Sequence, residues 1–150
     1  MKYRNSEDLA QKLAQDYPDF IFQSSKTARW SSGEKTIFYD DNIDNLLHEL
    51  GHAINNHNDF TQDIELIKLE RDAWETARKV ALHYKLKIDD EIIESALDDY
   101  REWLHARSLC PNCKQTGIQS HKTLDYYCIN CDAKWRANDA RTCGLRRRKV

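Results

Sequence analysis

Residues 48–52 read His-Glu-Leu-Gly-His, which places two histidines and a glutamate within one short segment. On an α-helix, residues four positions apart lie about 40° apart around the axis, so both imidazoles can reach one metal ion. Glu49 lies about 60° to the side, within reach of a water molecule at that metal. The spacing therefore predicts a catalytic zinc site with His48 and His52 as ligands and Glu49 as the general base.

A catalytic zinc ion takes three protein ligands, so a third must come from elsewhere. Glu70 is the only charge in an otherwise apolar helical stripe, and a carboxylate there is costly unless it is paired or bound to metal. The other members of that stripe are Ile67, Trp74, Ala77 and Ala81. An ion pair with another element is the competing explanation. His57 is the alternative ligand, but only if the helix breaks at Asn55-Asn56, since a continuous helix would turn it away. We expect Glu70.

The segment His48–His52, followed by Glu-Arg-Asp-Ala-Trp-Glu-Thr-Ala at 70–77, resembles the ImmA/IrrE family of zinc metallopeptidases over about residues 36–104. In that family a Glu-x-x-Ala helix follows the His-Glu-Leu-Gly-His helix, and its glutamate completes the zinc site. The resemblance implies His48, His52 and Glu70 as ligands and Glu49 as the base. Known members cleave repressors or other regulators, which implies a protein substrate of that kind.

A second resemblance is to SprT-like and WLM-type proteases, which join a small HExxH domain to a C-terminal zinc ribbon and act on DNA-bound proteins. Their third ligand is a histidine after the motif. Residues 57–60, His-Asn-Asp-Phe, are similar to the WLM pattern, with a gap one residue shorter. A third interpretation is a non-catalytic two-zinc adaptor that binds nucleic acid or a protein partner, although such a module needs no general base.

Four cysteines form two Cys-x-x-Cys pairs, Cys110 with Cys113 and Cys128 with Cys131. In a reducing compartment this spacing predicts one structural zinc ion held by four thiolates. Residues 117–119 and 124–127 would supply the short strands of a zinc ribbon. Cys143 remains as a free thiol without an assigned role. The expected cofactors are thus two zinc ions, one catalytic and one structural.

Residues 109–150 carry nine Lys and Arg and three acidic residues, a net charge of +6, whereas residues 1–108 carry −8. A basic module favours nucleic acid as a candidate partner. Tyr126, Tyr127 and Trp135 are candidate stacking surfaces. The candidate phosphate-binding residues are Arg146, Arg147, Arg148 and Lys149.

The pattern along the chain predicts an α+β fold, with a zincin-like metallopeptidase domain at 1–108 and a zinc ribbon with a basic tail at 109–150. We expect helices at 6–16, 43–56, 61–85 and 88–108, with Ser6 capping the first. Strands are expected at 20–23, 27–30 and 35–39. We expect the strand at 35–39 to form a sheet edge that takes the substrate peptide as an added strand.

Composition excludes several classes of protein. No run approaches the roughly 18 apolar residues of a membrane span, and the first twenty residues lack the apolar stretch of a secretory signal. With 4 Gly and 2 Pro, the chain does not have a low-complexity composition. We expect a cytoplasmic protein with no membrane partner.

Overall fold

The computed structural model describes residues 2–138 and 145–150. Within these ranges it contains four helices and two small sheets, which confirms the α+β prediction. The elements are α1 Ser6–Asp16, β1 Ile21–Ser24, β2 Arg29–Ser31, β3 Thr36–Tyr39, α2 Ile43–Ile54, α3 Asp63–His83, α4 Asp90–Ser108, β4 Ile118–Gln119, β5 Tyr126–Tyr127, β6 Lys134–Ala137 and β7 Arg147–Lys149. No helix in the described ranges is both long enough and apolar enough to cross a bilayer.

The chain packs as two compact units. The first contains residues 1–59 and 69–93, and the second contains residues 60–68 and 94–150. Helices α3 and α4 therefore contribute residues to both units.

The sheet of the first unit has the order β1-β3-β2. β3 pairs in parallel with β1 and antiparallel with β2, so it is the central strand. The prediction that residues 35–39 form a sheet edge is therefore wrong. The physical reason is burial: Ile37 at the middle of β3 is fully buried, and a central position protects such a residue better than an edge does. The two edges are β1 and β2.

Asparagines begin the first two helices of this unit. Asn5, rather than Ser6, caps α1, because Asn5 Oδ1 accepts a hydrogen bond from the Asp8 N–H at 2.9 Å. Ser6 lies inside the first turn and is buried. Asn42 caps α2 in the same way, at 3.1 Å from the Asn45 N–H. Five leucines of these helices are fully buried in the core: Leu9, Leu13, Leu46, Leu47 and Leu50.

The sheet of the second unit is antiparallel with the order β4-β5-β6-β7. Trp135 of β6 stacks on Tyr126 of β5, with ring centroids 5.6 Å apart, and both rings are buried. The expectation that these two rings offer stacking surface is therefore wrong, because they form the ribbon's own small core. Tyr127, on the opposite face of β5, is 38% exposed.

Candidate metal centres

Helix α2 meets helix α3 at Gly51. A Cβ atom at this position would overlap the carbonyl oxygen of Ala73 and lie 3.0 Å from its carbonyl carbon. Gly51 is therefore required by a close helix–helix approach. Asn55, which caps the C-terminus of α2, reinforces the contact: its Nδ2 donates to the Asp72 carbonyl at 3.1 Å and its Oδ1 accepts from Thr76 at 2.9 Å.

This crossing brings Glu70, one turn before Ala73, against the two histidines of α2. His48 Nε2 lies 2.9 Å from Glu70 Oε2, and His52 Nε2 lies 3.3 Å from Glu70 Oε1. The two Nε2 atoms are 3.2 Å apart. His48, His52 and Glu70 thus form a buried group that could hold a metal ion.

The atoms of this group fit a small tetrahedral ion. A tetrahedron with bonds of about 2.0–2.1 Å has edges of about 3.3–3.4 Å. The two Nε2 atoms are 3.2 Å apart, and each lies 2.9 or 3.3 Å from a different oxygen of the Glu70 carboxylate. Glu70 Oε2 is buried and has no hydrogen-bond partner among the described residues, although it lies close to His48. Burial alone would raise the pKa of Glu70, but its contacts with His48 and His52 outweigh this and lower the pKa to about 2. The carboxylate is therefore ionised, as a metal ligand must be.

Glu49 lies beside this group and is partly exposed. Burial raises the pKa of its carboxyl group, and the nearby His48 and His52 oppose that shift. The backbone N–H of Trp30, in the edge strand β2, also acts to lower the pKa of this carboxyl group. Glu49 is thus a neighbour of the metal-binding group with a raised pKa, which suits a proton acceptor.

His57 is not part of the ligand group. Helix α2 does end before His57, which is the condition that a ligand role for His57 required. Asn56 adopts a left-handed conformation with φ 54°, and the N–H groups of Asn56 and His57 donate to the carbonyls of Ala53 and His52 at 3.0 and 2.9 Å. These bonds form a Schellman motif. The motif turns His57 towards the far side of His52, where the two Nδ1 atoms are 2.9 Å apart. Burial, followed by the nearby His52, lowers the pKa of His57 and favours its neutral form.

The two candidate histidine ligands are held differently. His48 stacks on Trp74 with ring centroids 4.1 Å apart and 20° between planes. Its Nδ1 atom is buried and has no hydrogen-bond partner among the described residues. His52 instead contacts His57 through Nδ1, and Trp30 Nε1 fixes the backbone there by donating to the His57 carbonyl at 3.0 Å. Sequence analysis assigned no role to Trp30, and it considered a helix break at Asn55-Asn56 without a left-handed residue there. An asparagine just after a helix is a signal for such a cap and could have identified Asn56.

The four cysteines of the ribbon also converge and could hold a metal ion. The sulfurs of Cys110 and Cys131 are 3.7 Å apart, and those of Cys113 and Cys128 are 3.4 Å apart. A tetrahedral zinc site with bonds of about 2.3 Å has sulfur–sulfur edges of about 3.8 Å. Contact with the Asn112 side chain lowers the pKa of Cys131, which favours the thiolate form that binds metal.

The two Cys-x-x-Cys segments have the same backbone geometry. In each, the residue after the second cysteine is left-handed, with φ 66° at Lys114 and 62° at Asp132. Each of these residues donates its N–H to the carbonyl of the first cysteine, Cys110 or Cys128, at 3.0 Å. Each segment therefore forms its own turn and aims two sulfurs in one direction.

The basic residues of the tail lie on both faces of the ribbon sheet. Arg147 and Lys149 oppose Ala137 and Trp135 in the register, so they lie on the face that carries Trp135. Arg147 donates to the Leu109 carbonyl. The opposite face, which we call the open face, carries Ile118, Tyr127, Lys134, Arg136 and Arg148. Arg146 precedes β7, and Cys143 lies outside the described residues.

Comparisons with known proteins find no relative. No family model matches the chain, and neither a curated protein nor a solved structure matches it.

Proposed function

We propose that the chain is a zinc-dependent endopeptidase of the zincin-like type, acting on a protein substrate such as a repressor or another regulator. The observation that carries the proposal is the convergence of His48, His52 and Glu70 within 2.9–3.3 Å beside Glu49. Two imidazoles and a carboxylate form a donor set typical of catalytic zinc. The position of Glu70, and that of His57 outside the ligand group, favours the ImmA/IrrE-like arrangement over the SprT/WLM-like one.

Each residue has a distinct part in this mechanism. His48, His52 and Glu70 would hold the ion, and a zinc ion there would supply Lewis acidity to the scissile carbonyl and to a water molecule. Glu49 takes the proton of that water and passes it to the leaving amine. Burial raises the pKa of Glu49, which makes its carboxylate a stronger base.

The edge strand next to Glu49 is the candidate substrate-binding strand. β2 pairs with β3 on one side only, and the backbone of its Trp30 is near enough to Glu49 to lower the pKa of that carboxyl group. A substrate peptide that pairs with an exposed edge gains main-chain hydrogen bonds that do not depend on its sequence. A peptide bound in this way would have its scissile bond near the proposed metal centre.

The test of this function uses the matched variant Glu49→Gln, which keeps the size of the side chain but removes the base. Wild type, Glu49→Gln and chelator-treated wild type are incubated with a peptide library from a digested proteome, and new peptide ends are counted by mass spectrometry. We expect new ends with wild type alone and equal zinc content in the two folded proteins. The same new ends from Glu49→Gln would refute the assignment of the base. No new ends from any sample would favour the non-catalytic adaptor.

A second candidate function is binding of single-stranded nucleic acid by the open face of the ribbon. Tyr127 is 38% exposed there and opposes Lys134 in the register. Arg136 and Arg148 form the next row, and Arg136 pairs with Asp125 at 2.6 Å. Among the described residues, no carboxylate pairs with Lys134 or Arg148. An aromatic ring flanked by unpaired cations is suited to a stacked base and its phosphates.

This second candidate is tested with two double variants of equal charge. Lys134→Gln with Arg148→Gln removes two cations from the open face, whereas Lys122→Gln with Lys149→Gln removes two from elsewhere on the ribbon. Binding of a labelled single-stranded oligonucleotide is measured by fluorescence anisotropy at several salt concentrations. Two phosphate contacts, from Lys134 and Arg148, predict a slope of log affinity against log salt of about −1.4. The Lys134→Gln, Arg148→Gln variant should bind the oligonucleotide more weakly and with a smaller dependence on salt. An equal loss in both variants, or no binding at low salt, would contradict this candidate.

A further inference from the structure

We propose that His57 is a positioning residue for the metal centre: it accepts a hydrogen bond from His52 Nδ1 and so fixes the His52 imidazole with its Nε2 lone pair directed at the metal. The inference rests on the proposed zinc site. It assigns to His57 a role other than the third ligand, for which the sequence made it a candidate. The geometry that carries it is the 2.9 Å separation of the two Nδ1 atoms.

The tautomers follow from ligand chemistry. A histidine that binds metal through Nε2 must carry its remaining proton on Nδ1. His52 Nε2 is the atom directed at His48 and Glu70, so the proton of the metal-binding form lies on Nδ1. That proton faces His57 Nδ1, which must then be the acceptor and leave the His57 proton on Nε2. Without metal, the His52 proton can instead lie on Nε2 and be shared with His48. In the metal-binding form, the His52 Nδ1 proton therefore has an acceptor in His57.

The backbone holds the acceptor in place. His57 N–H is bonded to the His52 carbonyl at 2.9 Å, and the His57 carbonyl accepts from Trp30 Nε1 at 3.0 Å. The His57 peptide unit is thus tied both to helix α2 and to strand β2. A rigid acceptor loses little conformational entropy when metal binds to His52. Groups next to a metal-binding residue raise the affinity for metal in this way.

Comparison with His48 identifies what His57 contributes. His48 Nδ1 is buried without a hydrogen-bond partner among the described residues, and its ring is held by stacking on Trp74. Stacking fixes the plane of a ring but leaves its tautomer open. His52 instead has a directional partner at Nδ1, the His57 Nδ1 atom, which can fix its ring when Nε2 binds metal. Within the described residues, His57 thus gives the centre a hydrogen bond to the outer nitrogen of a candidate ligand.

The test replaces His57 by phenylalanine, which keeps the ring but has no acceptor, and by asparagine, whose Oδ1 can take the position of Nδ1. His105→Phe, at an exposed histidine of α4, is the matched control. Zinc affinity is measured for each folded variant by competition with a chromophoric chelator, and the four-cysteine site of the same chain serves as the internal reference. We expect His57→Phe to weaken the His48–His52–Glu70 site by about 10–100-fold. His57→Asn and His105→Phe should stay close to wild type, and the cysteine site should be unchanged in all three.

The outcomes separate this inference from the proposed function. Equal affinities for wild type and His57→Phe, with two zinc ions in each, would overturn the positioning role and leave the zinc site standing. Loss of the same zinc ion in both His57→Phe and His57→Asn would overturn it in favour of a ligand role for His57. A wild type that binds only the cysteine-held zinc would overturn the proposed function, and this inference with it.

Discussion

The two candidate metal centres are assembled in different ways. Each half of the cysteine centre is a four-residue turn, and both turns have the same left-handed residue and the same backbone hydrogen bonds. The other centre joins His48 and His52 of one helix to Glu70 of the next. Its geometry depends on how closely α2 and α3 approach at Gly51. The first centre is therefore encoded locally, whereas the second depends on tertiary packing.

The contacts around the two centres are also local in one case and tertiary in the other. Cysteine sulfurs receive contacts from residues within the turns, such as Asn112 N–H at 3.4 Å from Cys110. The candidate histidine ligands are held by side chains from outside α2, namely Trp74 and His57. We therefore expect metal at the cysteine centre to determine whether the ribbon folds, and packing at the other centre to determine whether metal binds.

The largest effect is expected at Cys128, which is 1% exposed and adjoins the buried Tyr126–Trp135 pair. Cys128→Ser removes one of four thiolates, and a module of this size depends on metal for its fold. The ribbon amides should lose protection in hydrogen exchange and one zinc should be lost, while the amides of α1 and α2 keep theirs. Cys143→Ser, at the cysteine outside both pairs, is the control. Full protection of the ribbon in Cys128→Ser would contradict the metal-dependent fold.

A smaller effect is expected at Gly51. In Gly51→Ala the new methyl group overlaps the Ala73 carbonyl, so the helices must separate at a cost of about 1–3 kcal/mol, against a gain of about 1 kcal/mol in helix propensity. Separation also moves Glu70 from the histidines, so zinc affinity at this centre should fall more than stability does. Chemical denaturation and chelator competition measure the two quantities.

Gly33→Ala is the matched control for this prediction, because nothing lies within 4 Å of a Cβ atom at Gly33. Its stability should change by less than about 0.5 kcal/mol. Unchanged zinc affinity in Gly51→Ala would show that the second centre does not depend on the helix crossing.

The smallest effect is expected at Asn56, whose φ is 54°. Asn56→Ala should cost about 1 kcal/mol, since an L-residue other than asparagine or aspartate is strained in this conformation. Asn56→Gly should be at least as stable as wild type. Thermal unfolding of the two variants measures the difference. If alanine were as stable as glycine, the left-handed turn that positions His57 would not be the conformation in solution.

Much of the fold could be predicted from sequence because its signals are local. Helix α1 has its predicted bounds, and α2, α3 and α4 each end within two residues of theirs. The strands β6 and β7 were not predicted, because Lys134–Ala137 and Arg147–Lys149 are rich in charge and become strands only by pairing with each other and with β5. The central position of β3 also depends on pairing between distant segments, which no local pattern specifies.

The candidate site also combines features that have local sequence signals with features that depend on distant segments. Helical spacing was enough to place His48 and His52 on one face and to make Glu70 conspicuous in its apolar stripe. The role of Gly51 could not be predicted, because it depends on the Ala73 carbonyl of another helix. The contact between His52 and His57 depends on a left-handed turn at Asn56 and on Trp30 of β2. Each of these is a tertiary contact, and periodicity carries no information about it.

Zinc content per folded chain tests the central claim most directly. Native mass spectrometry is applied to wild type, to Glu70→Ala, and to Glu75→Ala, which removes an exposed carboxylate from the same helix. Two centres predict two zinc ions in wild type and in Glu75→Ala, and one in Glu70→Ala. One zinc ion in wild type, or two in Glu70→Ala, would contradict a metal centre formed by His48, His52 and Glu70.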